Sequence, residues 1–393
     1  MQFSFLKKDT KKIVAIFDIG SDSVGGSLVD FSSDTKKIPK IIKSYRQDIP
    51  FQDKLDFGVF MDDMIRTLKD VSNHIATSGA GAPDKISIIL SSPWYLSETR
   101  HILFEEKYPF VFKDGLLKKI LSQESHKIKK VHEKLYGEDE NGVIIIGKDI
   151  VQVKLNGYVV ADPIDKKTKS VEMDMILTLA SKKCIKSIED VIKSTFHEIP
   201  FYFSSAMSSL YLTARDKYHN TDSFMIVDVG GEVTDVSIIL DGIPKNIISF
   251  PFGRQTFFRY LKKWLNKDVK EIESLFSMYQ EGTLESKERE KMDKALSPIR
   301  KMWSEDLIEA IKTIPEPKII PSAVFILMNK DVHSWFLSIF SEKNTDLSGL
   351  FKNECEVVGL MGADFLGYCK VEDGPCDPMI MMEAMTIKRK DIF

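Results

Sequence analysis

Two stretches share one pattern of apolar and polar positions. In Ile13–Phe31, IVAIFDIGSDSVGGSLVDF, an apolar run ends on Asp18, a short polar turn carrying Gly20 follows, and a second apolar run closes on Asp30. Phe224–Gly242, FMIVDVGGEVTDVSIILDG, repeats the plan with Asp228, Gly230, Gly231, Thr234 and Asp235. Short apolar runs bounded by glycine and acid predict buried strands joined by tight turns. Each unit is therefore a hairpin with a carboxylate at the strand tip. Unpaired N–H groups of such a turn can face phosphate oxygens, and the acid can hold Mg²⁺ through water. Ser21 and Ser23 add hydroxyls to the first turn.

Between and beyond these hairpins the periodicity alternates. Ile41–Tyr45 and Ile86–Leu90 read as strands, and Phe60–Ala76 as a helix. Gly115–Leu135 has helical apolar spacing, while Val143–Ile146, Ile150–Leu155 and Val171–Ala180 read as strands. Residues 86–181 thus form an inserted α+β domain. Lys182–Phe196, Ser204–Ala214, Phe257–Leu265 and Val269–Tyr279 are predicted helices, and Val324–Met328 is a strand after Pro315, Pro317 and Pro321. Val357–Gly367 closes the globular part, Glu372–Pro378 reads as a linker, and Met379–Phe393 as a tail.

At 393 residues two or more domains are expected. A hydrophobic fraction of 43% with 29% charged residues fits an ordinary globular chain, and a net charge of −3 gives no reason to expect nucleic acid as a partner. Cys184, Cys355, Cys369 and Cys376 form no CxxC pair, so no structural metal site is expected and reduced thiols are. The N-terminus has no secretory h-region, and no stretch has the length of a membrane span, so any membrane contact is peripheral. Walker loop, HExxH and GxSxG motifs are missing.

The paired hairpins resemble the phosphate motifs of the actin superfamily of ATPases, which includes sugar kinases and heat-shock chaperones. The resemblance implies a duplicated, two-lobed, ribonuclease H-like α/β fold that clasps ATP and Mg²⁺ between Asp18 and Asp228. The inserted domain, with LNGYVVADP at Leu155–Pro163, is similar to that of FtsA, the bacterial division protein, with PilM of the type IV pilus platform as the near alternative. That implies lobe I over 1–85, 182–215 and 341–371, and lobe II over 216–340, with 372–393 as linker and tail. It also implies a cytoplasmic scaffold at the inner membrane face, binding division or pilus proteins and associating with itself. An active ATPase or kinase is a third reading.

Several positions depart from the superfamily pattern. Where nucleotide users often carry a lysine in the first turn, this chain has Ser23 and Gly25. Glu232 replaces a glycine, and Phe203 stands where an acid near the metal is expected. The Glu-x-x-Lys helix on the adenosine side survives as Glu273 followed by Phe276, and Met328–Asp331 lacks the last Gly-Gly turn. Together these predict a weak or absent ATPase. In the tail, Met379, Met382, Ile387, Ile392 and Phe393 supply apolar side chains, and Lys388, Arg389 and Lys390 supply cations. As a short amphipathic helix they fit the FtsA-type membrane tether.

Overall fold

The computed structural model describes residues 12–31, 38–136, 142–218, 220–314, 320–321, 323–341, 347, 350–351 and 355–390. Pro315, Pro317, Ile392 and Phe393 lie outside them. In chain order the elements are β1 (Ile13–Ile19), β2 (Ser23–Asp30), β3 (Lys40–Asp48), α1 (Phe57–Ala76) and β4 (Lys85–Leu90). The inserted segment supplies β5 (Tyr95–Phe112), α2 (Asp114–Tyr136), β6 (Val143–Leu155), β7 (Tyr158–Val159) and β8 (Lys166–Ser181). Next come α3 (Lys182–Phe196), β9 (Phe201–Ser205), α4 (Ala206–Lys217), β10 (Phe224–Val229), β11 (Thr234–Leu240) and β12 (Ile243–Phe250). The chain continues through α5 (Arg254–Leu265), α6 (Val269–Gln280), α7 (Ser286–Lys312), β13 (Ala323–Met328), α8 (His333–Ser341) and β14 (Glu356–Leu360). It ends with β15 (Lys370–Val371) and α9 (Pro378–Lys390).

The chain divides into two units. The first comprises residues to Leu90, Ser187–Thr213 and Met361 onward; the second comprises Ser91–Lys186 and Ala214–Leu360. The sheet of the first runs β15-β3-β2-β1-β4-β9, and the main sheet of the second runs β12-β11-β10-β13-β14. Five strands match in order and sense: antiparallel β3-β2-β1 and β12-β11-β10, then parallel β1-β4-β9 and β10-β13-β14. The match extends to single residues. Asp18 pairs with Gly25 on one side and Ile89 on the other; Asp228 pairs likewise with Asp235 and Leu327. Gly20 N donates to Ser23 O at 3.0 Å, and Gly230 N to Val233 O at 3.0 Å. The fold is a duplication.

Burial explains the uninterrupted apolar runs. All seven residues of β1 and all six of β10 are buried, as central strands covered on both faces require. In β2 two successive glycines serve opposite faces. A side chain at Gly26 would collide with Val71 and Ile75 of α1, while one at Gly25 would meet Arg46 and Asp377. The inserted segment forms an antiparallel sheet, β5-β8-β6-β7. Val171, Met173, Met175, Leu177 and Leu179 of β8 alternate onto a core shared with Ile120 and Ile128 of α2.

The C-terminal stretch corrects the expectation of a linker and free tail. Met379, Ile380, Met381, Met382, Ala384 and Ile387 are buried, and α9 packs on β1 and β2. Apolar residues spread around the helix, which look irregular for a membrane surface, suit a helix enclosed on several sides. Only its last turn is open, with Lys388 half-buried and Arg389 and Lys390 exposed. β14 also departs from expectation by pairing with β13, which places Glu356–Leu360 in the second sheet. No helix among the described residues is long and apolar enough to cross a membrane.

Deleting residues 378–393 should therefore unfold the first unit rather than release an appendage. Ile380→Ala, at a fully buried position, should cost about 2–5 kcal/mol in urea unfolding. A truncated chain with the full-length Tm would refute this placement.

Candidate functional site

The sequence predicts a phosphate and metal cradle in each acidic hairpin, and in each hairpin buried carboxylates are paired or hydrogen-bonded from within their own unit. In the first, Asp18, Ser21 and Ser23 are buried at 5%, 2% and 4% exposure. Asp18, Gly25 and Arg46 lie in one row across β1, β2 and β3. Residues in such a row point to the same face. Because Gly25 has no side chain, the Arg46 guanidinium crosses it: a Cβ there would stand 2.6 Å from Nη2. Nη2 then meets Asp18 Oδ2 at 2.5 Å, Nη1 donates to Ser23 Oγ at 2.8 Å, and Nε donates to Asp377 Oδ2 at 2.7 Å. Asp377 also caps α9, its Oδ1 accepting from Met379 N at 3.1 Å and Ile380 N at 3.2 Å.

One guanidinium thus serves two buried carboxylates. Burial pushes the Asp18 carboxyl up to about 6; Arg46 opposes this, while Asp377 and Asp22 add to it. Among the described residues, Asp18 Oδ1 is buried without a hydrogen-bond partner. The cation that Ser23 and Gly25 do not provide in the turn comes from β3. Neither Arg46 nor Asp377 stands out in the sequence. The available signal was the Gly25-Gly26 pair inside a strand, which marks close approach by another group.

In the second hairpin, Asp228 is buried at 8% exposure. The Gly230 and Gly231 carbonyls accept from Arg254 N at 2.9 Å and Gln255 N at 2.7 Å, so the first turn of α5 sits on the glycine turn. Gly253 permits the approach, since a Cβ there would lie 2.4 Å from both carbonyl oxygens. Thr234, fully buried, donates to Phe252 O at 2.5 Å and accepts from Trp303 Nε1 at 3.4 Å. Its hydroxyl, expected to face phosphate, here ties strand to loop. Glu232 is buried in a two-pronged pair with Arg259 of α5, so its charge is neutralised. Burial raises the Asp235 carboxyl, against the lowering effect of hydrogen bonds from Ser249, Ser92 and Tyr95.

On the adenosine side, Glu273 is joined to the 328–331 turn. Arg254 Nη2 reaches Glu273 Oε1 at 2.9 Å and Asp331 Oδ2 at 2.7 Å, and its guanidinium lies 4.8 Å from the Phe258 ring centre. Phe276, where the lysine is lost, is buried against Phe257 with ring centres 5.0 Å apart. Among the described residues, no group of three or more His, Cys, Asp or Glu is disposed to hold a metal ion. Phe203 lies on strand β9, not on a helix before the hairpin.

No protein-family model matches the chain, and no curated protein sequence matches it. Solved structures do. The PilM-PilN type IV pilus biogenesis complex is similar with a TM-score of 0.61 and 11% identity, over 97% of this chain and 98% of that one. The ethanolamine utilization protein EutJ from Carboxydothermus hydrogenoformans gives 0.45 and 12%, over 96% and 89%. A Bacteroides thetaiotaomicron protein of unknown function with an actin-like ATPase fold gives 0.37 and 10%, over 98% and 99%. The duplicated, two-lobed α/β chain therefore has the actin-like ATPase fold.

The raised Asp18 pKa fixes the sign of a pH effect. A carboxyl that holds its proton more tightly when folded contributes stability at pH below its unfolded value of 3.8. That contribution is lost as pH rises through about 6. Between pH 7 and 4 it amounts to on the order of 3 kcal/mol. Urea unfolding of Asp18→Asn should lose that one-proton slope, whereas identical slopes in the two proteins would refute the assignment.

Proposed function

We propose that this chain is an actin-fold scaffold that works by binding protein partners and does not hydrolyse ATP. The observation that carries this is the Arg46 guanidinium, held at once by Asp18, Ser23 and Asp377. Mg²⁺ at Asp18 would have to sit beside a cation already paired with two buried carboxylates, or displace it. Displacing it is costly, because Asp377 and the guanidinium itself are then left uncompensated. Adenosine meets a second obstacle, since Glu273 and Asp331 are bridged by Arg254. The residues present do not fit Mg-ATP.

Of the two scaffold readings we favour the PilM-like one, in which the protein sits at the inner membrane face and holds a cytoplasmic peptide of a membrane partner. The likeness to PilM in its complex with PilN supports it at the level of fold. The stretch that resembled an FtsA-type membrane tether is α9, whose apolar side chains lie in the core, so it lends that reading no support. A kinase would need an open adenosine site.

Calorimetric titration with Mg-ATP should give no saturable heat up to about 1 mM. A fluorescent peptide from the cytoplasmic segment of a PilN-type protein should bind with a Kd in the micromolar range. Micromolar Mg-ATP binding with turnover would overturn the self-occupied site. Peptide anisotropy unchanged at saturating protein would overturn the PilM-like reading.

A further inference from the structure

We propose that Asp235 sets the orientation of the inserted domain, acting as a clasp at its root. The inserted segment leaves the first sheet after Leu90, and β5 begins at Tyr95. In that short passage Ser92 and Tyr95 both turn a hydroxyl onto Asp235: Ser92 Oγ donates to Oδ1 at 2.8 Å and Tyr95 OH to Oδ2 at 3.2 Å. Ser249 Oγ of β12 adds a third bond to Oδ1 at 2.5 Å. Asp235, Ser92 and Tyr95 are 2%, 6% and 7% exposed, so these three side chains are shielded, while Ser249 lies on the exposed side of the cluster.

The carboxylate is what makes this a clasp rather than a packing contact. An acid shielded from water needs donors aimed at it, and three hydroxyls converging on two oxygens fix the rotamer of each contributor. Two of these come from the passage by which the chain enters the inserted domain, and they tie that passage to β11 of the same unit. β5 also packs on β12, so the clasp and that contact lie along one line of attachment. Asp235 stands directly opposite Asp228 on the β10–β11 ladder. A residue pair away from the glycine turn, the protein thus fixes the domain that sets it apart from a plain two-lobed chain. In the matching row of the first unit this position is Gly25, so the carboxylate belongs to the lobe that carries the insertion.

Amide hydrogen exchange on the full chain separates this role from general stabilisation. In Ser92→Ala/Tyr95→Phe, which keeps Asp235 and its Ser249 bond, amides of Tyr95–Phe112 and of the facing β12 should exchange about 10-fold faster or more, with β10 and β13 unchanged. Ser249→Ala removes a bond to the same oxygen without touching that passage and should leave Tyr95–Phe112 as in the parent. Asp235→Asn, which retains one oxygen acceptor, should fall between. Equal exchange in all four proteins would overturn the proposal. So would faster exchange spread evenly over β10, β11 and β13, or an effect of Ser249→Ala equal to that of the Ser92→Ala/Tyr95→Phe pair.

Discussion

Burying an acid at the tip of a central strand is the constraint that organises both halves of this chain. Asp18 and Asp228 sit where apolar runs end, shielded by the same layers that make those runs apolar. A carboxylate in such a place must be neutralised, hydrogen-bonded or protonated. The first unit answers with Arg46, admitted by a glycine in the intervening strand. In the second the next position in the row is another acid, Asp235, answered by hydroxyls. The duplicated backbone has been kept while the charge chemistry of its two copies has diverged.

That divergence gives the loss of sequence signals a common sense. A turn without lysine, a glutamate in place of glycine, a helix without its cation and a glycine-free final turn look like separate defects. In the folded chain each is matched by a guanidinium on a neighbouring element: Arg46 for the first turn, Arg259 for Glu232, and Arg254 for Glu273 and Asp331. Such pairs are internally satisfied, and the fold they sit in does not by itself dictate a chemistry.

What could be read before folding was whatever depends on local pattern. The two hairpins, the inserted α+β segment and the main helices follow from runs, turns and period, and they were legible. What escaped depends on strand register. Arg46 is unremarkable until β3 is aligned to β2 and β2 to β1; Asp377 is unremarkable until α9 is seen to begin beside β2. The bond from Thr234 to the Phe252 carbonyl was not legible either, because a hydroxyl near a glycine turn is equally suited to a phosphate and to a backbone carbonyl. The tail was misread for a similar reason. Met379–Lys390 has the composition of a membrane helix, yet its apolar residues surround the axis, a distribution that suits enclosure by protein.

The position of α9 carries a consequence for how the chain comes to be folded. Four of the six strands of the first sheet, β1 to β4, come from residues 13–90, yet β1 and β2 receive one of their covering helices from residues 378–390. A ribosome delivers these pieces far apart in time, with the inserted domain and the whole second unit emerging between them. The apolar surface of β1 and β2 therefore waits for a lid made only after the second unit. Contacts spanning such sequence separations form slowly and leave the nascent chain exposed to aggregation. Residues 378–390 thus close a sheet whose strand β1, Ile13–Ile19, lies far upstream in the chain.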